Sequence, residues 1–186
     1  MGQSMLGLGL VGNTEVIHMT LTPELEKAFN AQITMEYAAA YSYLGISTWL
    51  ETQGLPGMAS WMRMQSDEET THGLRLLQFV LDRGGNVELG QIDAPSATFQ
   101  TPTDAFRAAL AQERDVTASI NRLYSLAVES KDFASIPLLD WFVAEQVEEE
   151  ATVQQIIDDL DRGGDTGHTV LMLDRELGQR GGTIKA

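Results

Sequence analysis

Gln65-Ser-Asp-Glu-Glu69-Thr-Thr-His72 sets a carboxylate and an imidazole three residues apart, on one face of a helix. Stepping outward by threes and fours gives Met58, Met62, Gln65, Glu69, His72, Leu76 and Phe79, a seam that is apolar at both ends and ionisable in the middle. Such a seam packs inward, and a buried carboxylate without a partner costs several kcal/mol. A salt bridge or a metal ion must therefore face the pair. With only three histidines and no cysteine in the chain, a metal held here would be held mostly by carboxylates.

The neighbouring sequence repeats the pattern. Thr22-Pro23-Glu24 supplies a capping hydroxyl, a proline for the first helical position and an acid for the first turn, so a helix starts there and runs toward Gly54. Its seam is Phe29, Gln32, Glu36, Ala39, Tyr43, Ile46 and Leu50, polar at Glu36. After the short turn Gln53 to Gly57, the second helix carries Glu69 and His72 and stops at Gly84-Gly85. Residues 85 to about 101 show no helical period. At about 17 residues this connection is long for two helices, and extended it spans the length of one. Thr101-Pro102-Thr-Asp104 opens a third helix in a capping-box-like arrangement, with the seam Phe106, Ala109, Glu113, Val116, Ile120, Leu123 and Ala127. A fourth begins after Asp132 or Ser135, carries Leu139, Phe142, Gln146, Glu149, Val153, Ile156 and Leu160, and closes at Gly163-Gly164. A last short helix, about Thr166 to Gly178, is amphipathic through Val170, Leu171, Leu173 and Leu177.

The four long seams break at one depth. Glu36 lies 13 residues after Pro23, Glu113 lies 11 after Pro102, His72 lies 12 before Gly84, and Glu149 lies 14 before Gly163. An all-α four-helix bundle with a long crossover and a short fifth helix brings these groups together. Bundle cores hold dimetal sites in this way, with carboxylates from facing helices and carboxylate-plus-histidine motifs. The set is Glu36, Glu69, His72, Glu113 and Glu149; four carboxylates neutralise two dications, and one imidazole favours iron, cobalt or zinc over calcium and magnesium. Taken alone, Glu69 and His72 read as an ion pair on a solvated face. Tyr43 reads either as a core phenol bonded to a buried acid or as a group active at the metals. Glu148-Glu-Glu150 is an acidic run with Glu150 expected on the solvated side, and Glu68, Glu145 and Glu148 beside the inner ligands suggest a third, weaker cation site.

Composition narrows the function. The 186 residues carry 12 Lys+Arg against 27 Asp+Glu, a formal net charge of -15, which disfavours nucleic acid and anionic membranes and attracts cations. No apolar run approaches the roughly 20 residues of a membrane span. The apolar stretch Met5 to Val11 lacks the flanks of a signal peptide, and the absence of cysteine leans toward the cytoplasm. Residues 1–20 read as a flexible extension, 21–181 as the folded domain and 182–186 as a tail. His18 and His168 fall outside the seams.

Met35-Glu-Tyr-Ala-Ala-Ala-Tyr-Ser-Tyr43, Asp67-Glu-Glu-Thr-Thr-His72, Ala111-Gln-Glu-Arg114 and Trp141-Phe-Val-Ala-Glu-Gln-Val-Glu-Glu-Glu150 together resemble a bacterial non-heme ferritin, over about Thr22 to Gln179. The resemblance implies a ferritin-like fold, a cage of twenty-four copies, oxidation of Fe(II) by O2 or H2O2, and storage of the ferric mineral inside. It implies that Glu36, Glu69, His72 and Glu113 form two ferroxidase metal sites. Glu149 would bridge toward a third formed with Glu68, Glu145 and Glu148. Gln146 and Tyr43 resemble the residues that support the centre, Gln146 counted with the metal-binding residues and Tyr43 with the catalytic ones. Heme-containing relatives carry a Glu-x-x-His on the fourth helix and a Met beside the first motif. Here the fourth helix has no His and Thr70 follows Glu69, so no heme is expected. Ile136-Pro-Leu-Leu139 lacks the acidic residues of some relatives' three-fold channel. A DNA-protecting mini-ferritin is disfavoured by the charge and the lack of a Lys-rich tail. Two rivals stand beside storage: a di-iron or di-manganese enzyme acting on a small substrate or on peroxide, and a cage whose carboxylates hold cations structurally.

Overall fold

The computed structural model describes residues 20–96, 98–164 and 167–180. The expected N-terminal extension (save residue 20), with the Met5 to Val11 stretch and His18, lies outside these residues, as do Thr166 and the 182–186 tail. Five helices and no strand occur among the described residues: α1 (Pro23–Thr52), α2 (Pro56–Asp82), α3 (Pro102–Glu129), α4 (Ile136–Gly163) and α5 (Gly167–Arg180). Helix starts follow the capping chemistry. The Thr22 hydroxyl accepts from the Leu25 amide at 3.3 Å and that of Thr101 from Asp104 at 3.1 Å, each ahead of a proline at the first position. The Asp104 carboxylate lies 3.5 Å from Arg107. Gly164 closes α4 in the left-handed region at φ 73, where a side chain would be strained.

Short turns make α1/α2 and α3/α4 hairpins, and the segment between them runs along α1. Asn30 is the template for that segment, donating to the Asn86 carbonyl at 2.8 Å and accepting from the Glu88 amide at 3.0 Å. Glu26 accepts from the Asn86 amide, Thr34 from that of Gly90, and Phe99 meets Trp49 edge-on at 5.3 Å. The crossover thus spans α1 almost end to end, which its length allowed.

Seam positions on α1, α3 and α4 are buried throughout. On α2 the last step slips: Phe79 is half-buried against Phe29 while Val80 is fully buried, because a three-four count drifts against 3.6 residues per turn. On α5, Val170 and Leu177 are buried but Leu171 is 50% exposed, a correction to the amphipathic reading. The residue that seats α5 is Asp174, whose Oδ1 accepts from the Met58 amide at 2.9 Å and so caps α2, whose N-cap residue Leu55 makes no side-chain cap bond. The approach is close enough that a Cβ on Gly57 would sit 1.8 Å from the Asp174 carbonyl oxygen. Apolar packing forms two clusters, one around Leu50, Met62, Phe106 and Leu160, the other around Phe29, Leu76, Ile120 and Phe142. A polar layer lies between them.

Candidate metal centre

Each of the four long helices places its polar seam residues in this layer. Glu36, Glu69 and Glu113 are fully buried, His72 is 2% exposed and Glu149 is 7% exposed. Ligand atoms of Glu36, Glu69 and His72 lie within 4.8 Å of one another, as do those of Glu69, Glu113 and Glu149, and those of Glu68, His72, Glu145 and Glu149. Glu69 belongs to both of the first two groups, His72 to the first and third, and Glu149 to the second and third. Glu148 is exposed and belongs to none of the three. Glu68 is exposed and Glu145 half-buried, so the outer group faces solvent.

The hydrogen bonding of the layer is incomplete in one direction. Among the described residues, both carboxylate oxygens of Glu69 and of Glu149, Glu36 Oε2 and His72 Nδ1 are buried without a hydrogen-bond partner. Native interiors leave few polar atoms in that state, each at a cost of about 1–3 kcal/mol. His72 Nδ1 is 3.5 Å from Glu69 Oε2 and 3.7 Å from Glu149 Oε1, too far for a hydrogen bond. It is no ion pair either: burial, aided by the Arg75 charge, brings the imidazole down to about 4, so it is neutral at pH 7 and able to ligate. Burial pushes Glu36 up to about 7. Burial, with the charges of Glu113, Glu68, Glu36 and Glu145, pushes Glu149 up to about 9. Glu69 and Glu113 move up as well, burial again being the main cause. Inward-facing oxygen lone pairs plus one neutral imidazole make a donor set for borderline dications.

Some groups are satisfied, and they hold the rest. The Tyr43 hydroxyl donates to Glu113 Oε1 at 2.5 Å and Gln146 Nε2 donates to Glu113 Oε2 at 3.2 Å, so Glu113 is fixed from both sides. Tyr43 is thus bonded to a buried acid, and burial raises its pKa well above the usual phenol value. Gln146 presents its amide nitrogen to Glu113. Gln32 Nε2 holds Glu36 Oε1 at 2.8 Å and Gln65 Nε2 reaches Glu68 at 3.3 Å. The seams named both glutamines but gave no sign of what they hold. His72 packs edge-on to Trp141 at 5.3 Å, and the Arg75 guanidinium lies over that indole at 3.7 Å. Glu150, expected in solvent, is half-buried and accepts from Thr117. His168 is exposed and remote in sequence from the layer.

Residues 26–163 match the family model of the ferritin-like domain. The chain is 39% identical over 160 residues to a bacterial non-heme ferritin of Staphylococcus epidermidis, covering 86% of this chain and 96% of that protein. To a bacterial non-heme ferritin of Bacteroides fragilis it is 37% identical, covering 86% and 99%. Among solved structures it superposes with a TM-score of 0.84 on the open-pore ferritin of the hyperthermophilic archaeon Archaeoglobus fulgidus, at 37% identity over 86% of this chain and 98% of that one.

Proposed function

The chain belongs to the ferritin family, and from that premise we propose how its own residues carry the iron chemistry. It is an iron-storage ferritin with ferroxidase activity. In our assignment one Fe(II) binds Glu36, Glu69 and His72, a second binds Glu69, Glu113 and Glu149, and Glu69 bridges them. Two Fe(II) release two electrons, which with two protons reduce one O2 to H2O2, or one H2O2 to two waters. The ferric ions then leave for the storage cavity. Tyr43 and Gln146 keep Glu113 in place through this cycle. A third, weaker cation sits at Glu68, Glu145 and Glu149.

The observation that carries the reading is the set of unpartnered buried oxygens and nitrogen on Glu36, Glu69, His72 and Glu149. A structural salt-bridge cluster would have paired them. For assembly, Tyr41, Leu44, Leu89 and Ile92 expose an apolar strip along α1 and the crossover, and Leu74 and Leu81 add to the exposed apolar surface on α2. We assign that surface to contacts between copies in a twenty-four-subunit shell built from the domain 21–181. No described helix is long and apolar enough to cross a membrane, and we place the shell in the cytoplasm.

Stopped-flow oxidation of Fe(II) by the parent and by Glu69→Ala tests the centre, and size-exclusion chromatography with iron loading tests storage. Rapid oxidation lost in the variant, in a particle of hundreds of kilodaltons that retains ferric iron, is the expected result. A small particle that oxidises iron without retaining it would favour the non-storage enzyme. Unchanged oxidation in Glu69→Ala would remove the centre.

A further inference from the structure

Helical threonines here commonly turn their hydroxyls back on their own helix: Thr34 to the Asn30 carbonyl at 3.0 Å, Thr70 to Ser66 at 2.9 Å and Thr71 to Asp67 at 3.1 Å, with Thr48 and Thr52 reaching the carbonyls three residues back. Thr117 does otherwise. Its hydroxyl donates across the α3–α4 groove to Glu150 Oε1 at 2.6 Å, and the carbonyl four residues back, that of Glu113, accepts from Gln146 Nε2 at 3.2 Å instead. The same amide nitrogen reaches Glu113 Oε2 at 3.2 Å and Thr117 Oγ1 at 3.3 Å. A hydroxyl has one proton, so its donation to Glu150 leaves only lone pairs toward Gln146. The amide nitrogen then faces three acceptors and no competing donor. Glu150 is itself anchored, with Oε2 3.7 Å from Arg114 Nε, while the same guanidinium donates to Gln154 at 3.5 Å.

We infer that Thr117 and Glu150 are positioning residues for the second metal of the centre, acting through Gln146 on Glu113. Glu150 accepts the Thr117 hydrogen bond and so keeps that hydroxyl off the Glu113 carbonyl. That carbonyl and the Thr117 oxygen fix the amide, and the amide holds the Glu113 carboxylate in place beside Glu69 and Glu149. Neither residue touches the metal. This relay rests on the reading of Glu69, Glu113 and Glu149 as the second metal's ligands. Glu36 and His72 lie off it, so its loss separates the two metal affinities.

Cobalt(II) binding to the metal-free, assembled chain, followed by calorimetry and by the visible absorption of the bound ions, tests the relay. The parent takes two tight equivalents. Thr117→Val weakens the second by about tenfold, the order seen when a group that orients a metal ligand is lost, and leaves the first unchanged within error. Thr117→Ser, which keeps the hydroxyl, restores it. Glu150→Ala gives the same pattern with a smaller loss, and Glu150→Gln, whose amide oxygen still accepts, binds as the parent does. An unchanged second equivalent in Thr117→Val, an equal loss of both equivalents, or a serine variant as weak as the valine one would overturn the inference. A parent that takes no second equivalent would overturn the ligand reading, and the relay with it, before any variant is compared.

Discussion

Arg83, Asp132 and Ser135 at one end of the bundle, and the glutamates with His72 at its middle, are both ionisable clusters taken out of water, yet they are built differently. At the end, Arg83 Nη2 donates to Asp132 Oδ1 at 2.7 Å and Nη1 to Oδ2 at 3.1 Å, while the Ser135 hydroxyl donates to the same carboxylate. Charge is balanced there. Against the burial that would raise it, hydrogen bonds from Arg83 and Ser135 hold the Asp132 carboxyl below its usual range. The cluster ties the C-cap of α2 to the α3–α4 turn and joins the two hairpins. In the middle layer carboxyls surround one neutral imidazole, their lone pairs converge, and both oxygens of Glu69 and Glu149, Glu36 Oε2 and His72 Nδ1 have no hydrogen-bond partner among the described residues. Burial that is answered within the chain makes structure, and burial left unanswered makes a place for a ligand.

The comparison predicts opposite responses to removing a charge. Arg83→Met leaves the half-buried Asp132 carboxylate with only the Ser135 hydroxyl, and should cost about 2 kcal/mol in chemical denaturation, with metal binding intact. Glu149→Gln should do the reverse, stabilising the metal-free protein by about 2 kcal/mol near pH 7 while abolishing the second metal site. That gain carries a pH signature. Glu149 at about 9 and Glu36 at about 7 hold protons in the folded chain that the unfolded chain, with carboxyls near 4.5, has already released. Raising the pH therefore destabilises the metal-free fold progressively up to about 9. His72, lowered to about 4 from 6.5, acts in the opposite sense only below 6.5, so from pH 6.5 to 9 the metal-free melting temperature should fall. Scanning calorimetry should find the fall blunted in Glu149→Gln and absent with metal bound, since metal takes the protons' place. A metal-free protein whose stability rises through that window would contradict the unpaired-carboxylate account.

The smallest effect belongs to Tyr43→Phe. It removes one of the two donors on Glu113 and leaves Gln146 in place, so oxidation should slow several-fold and less than in Glu149→Ala, with about 1 kcal/mol lost in stability. Equal rates for the two variants would show that Glu149 is not a bridging ligand.

How far all this was legible follows from the same physics. The seams were readable because burial repeats with the helix, and Glu36, Glu69, His72, Glu113 and Glu149 stood out because each interrupts an apolar run at matching depth. The crossover's path followed from its length, although its use of Asn30 as a template did not. Contacts between side chains far apart in sequence left no periodic trace: Arg83 with Asp132, Asp174 on the α2 amide, Thr117 with Glu150. Leu171 was misplaced because on a helix of 14 residues one apolar position more or less hardly moves the face. Glu150 turns partly inward where solvent was expected, since successive helical residues point about 100° apart and an acidic run does not say which member turns inward.

Anomalous diffraction from crystals soaked in Fe(II) under anaerobic conditions, or in zinc as a surrogate, tests the central claim most directly. Two strong peaks per chain are expected, one bonded to Glu36, Glu69 and His72, the other to Glu69, Glu113 and Glu149, at about 2.0–2.2 Å from their ligand atoms. Density showing no metal within bonding distance of Glu69 and His72, with the layer's carboxylates paired through shared protons instead, would contradict the account.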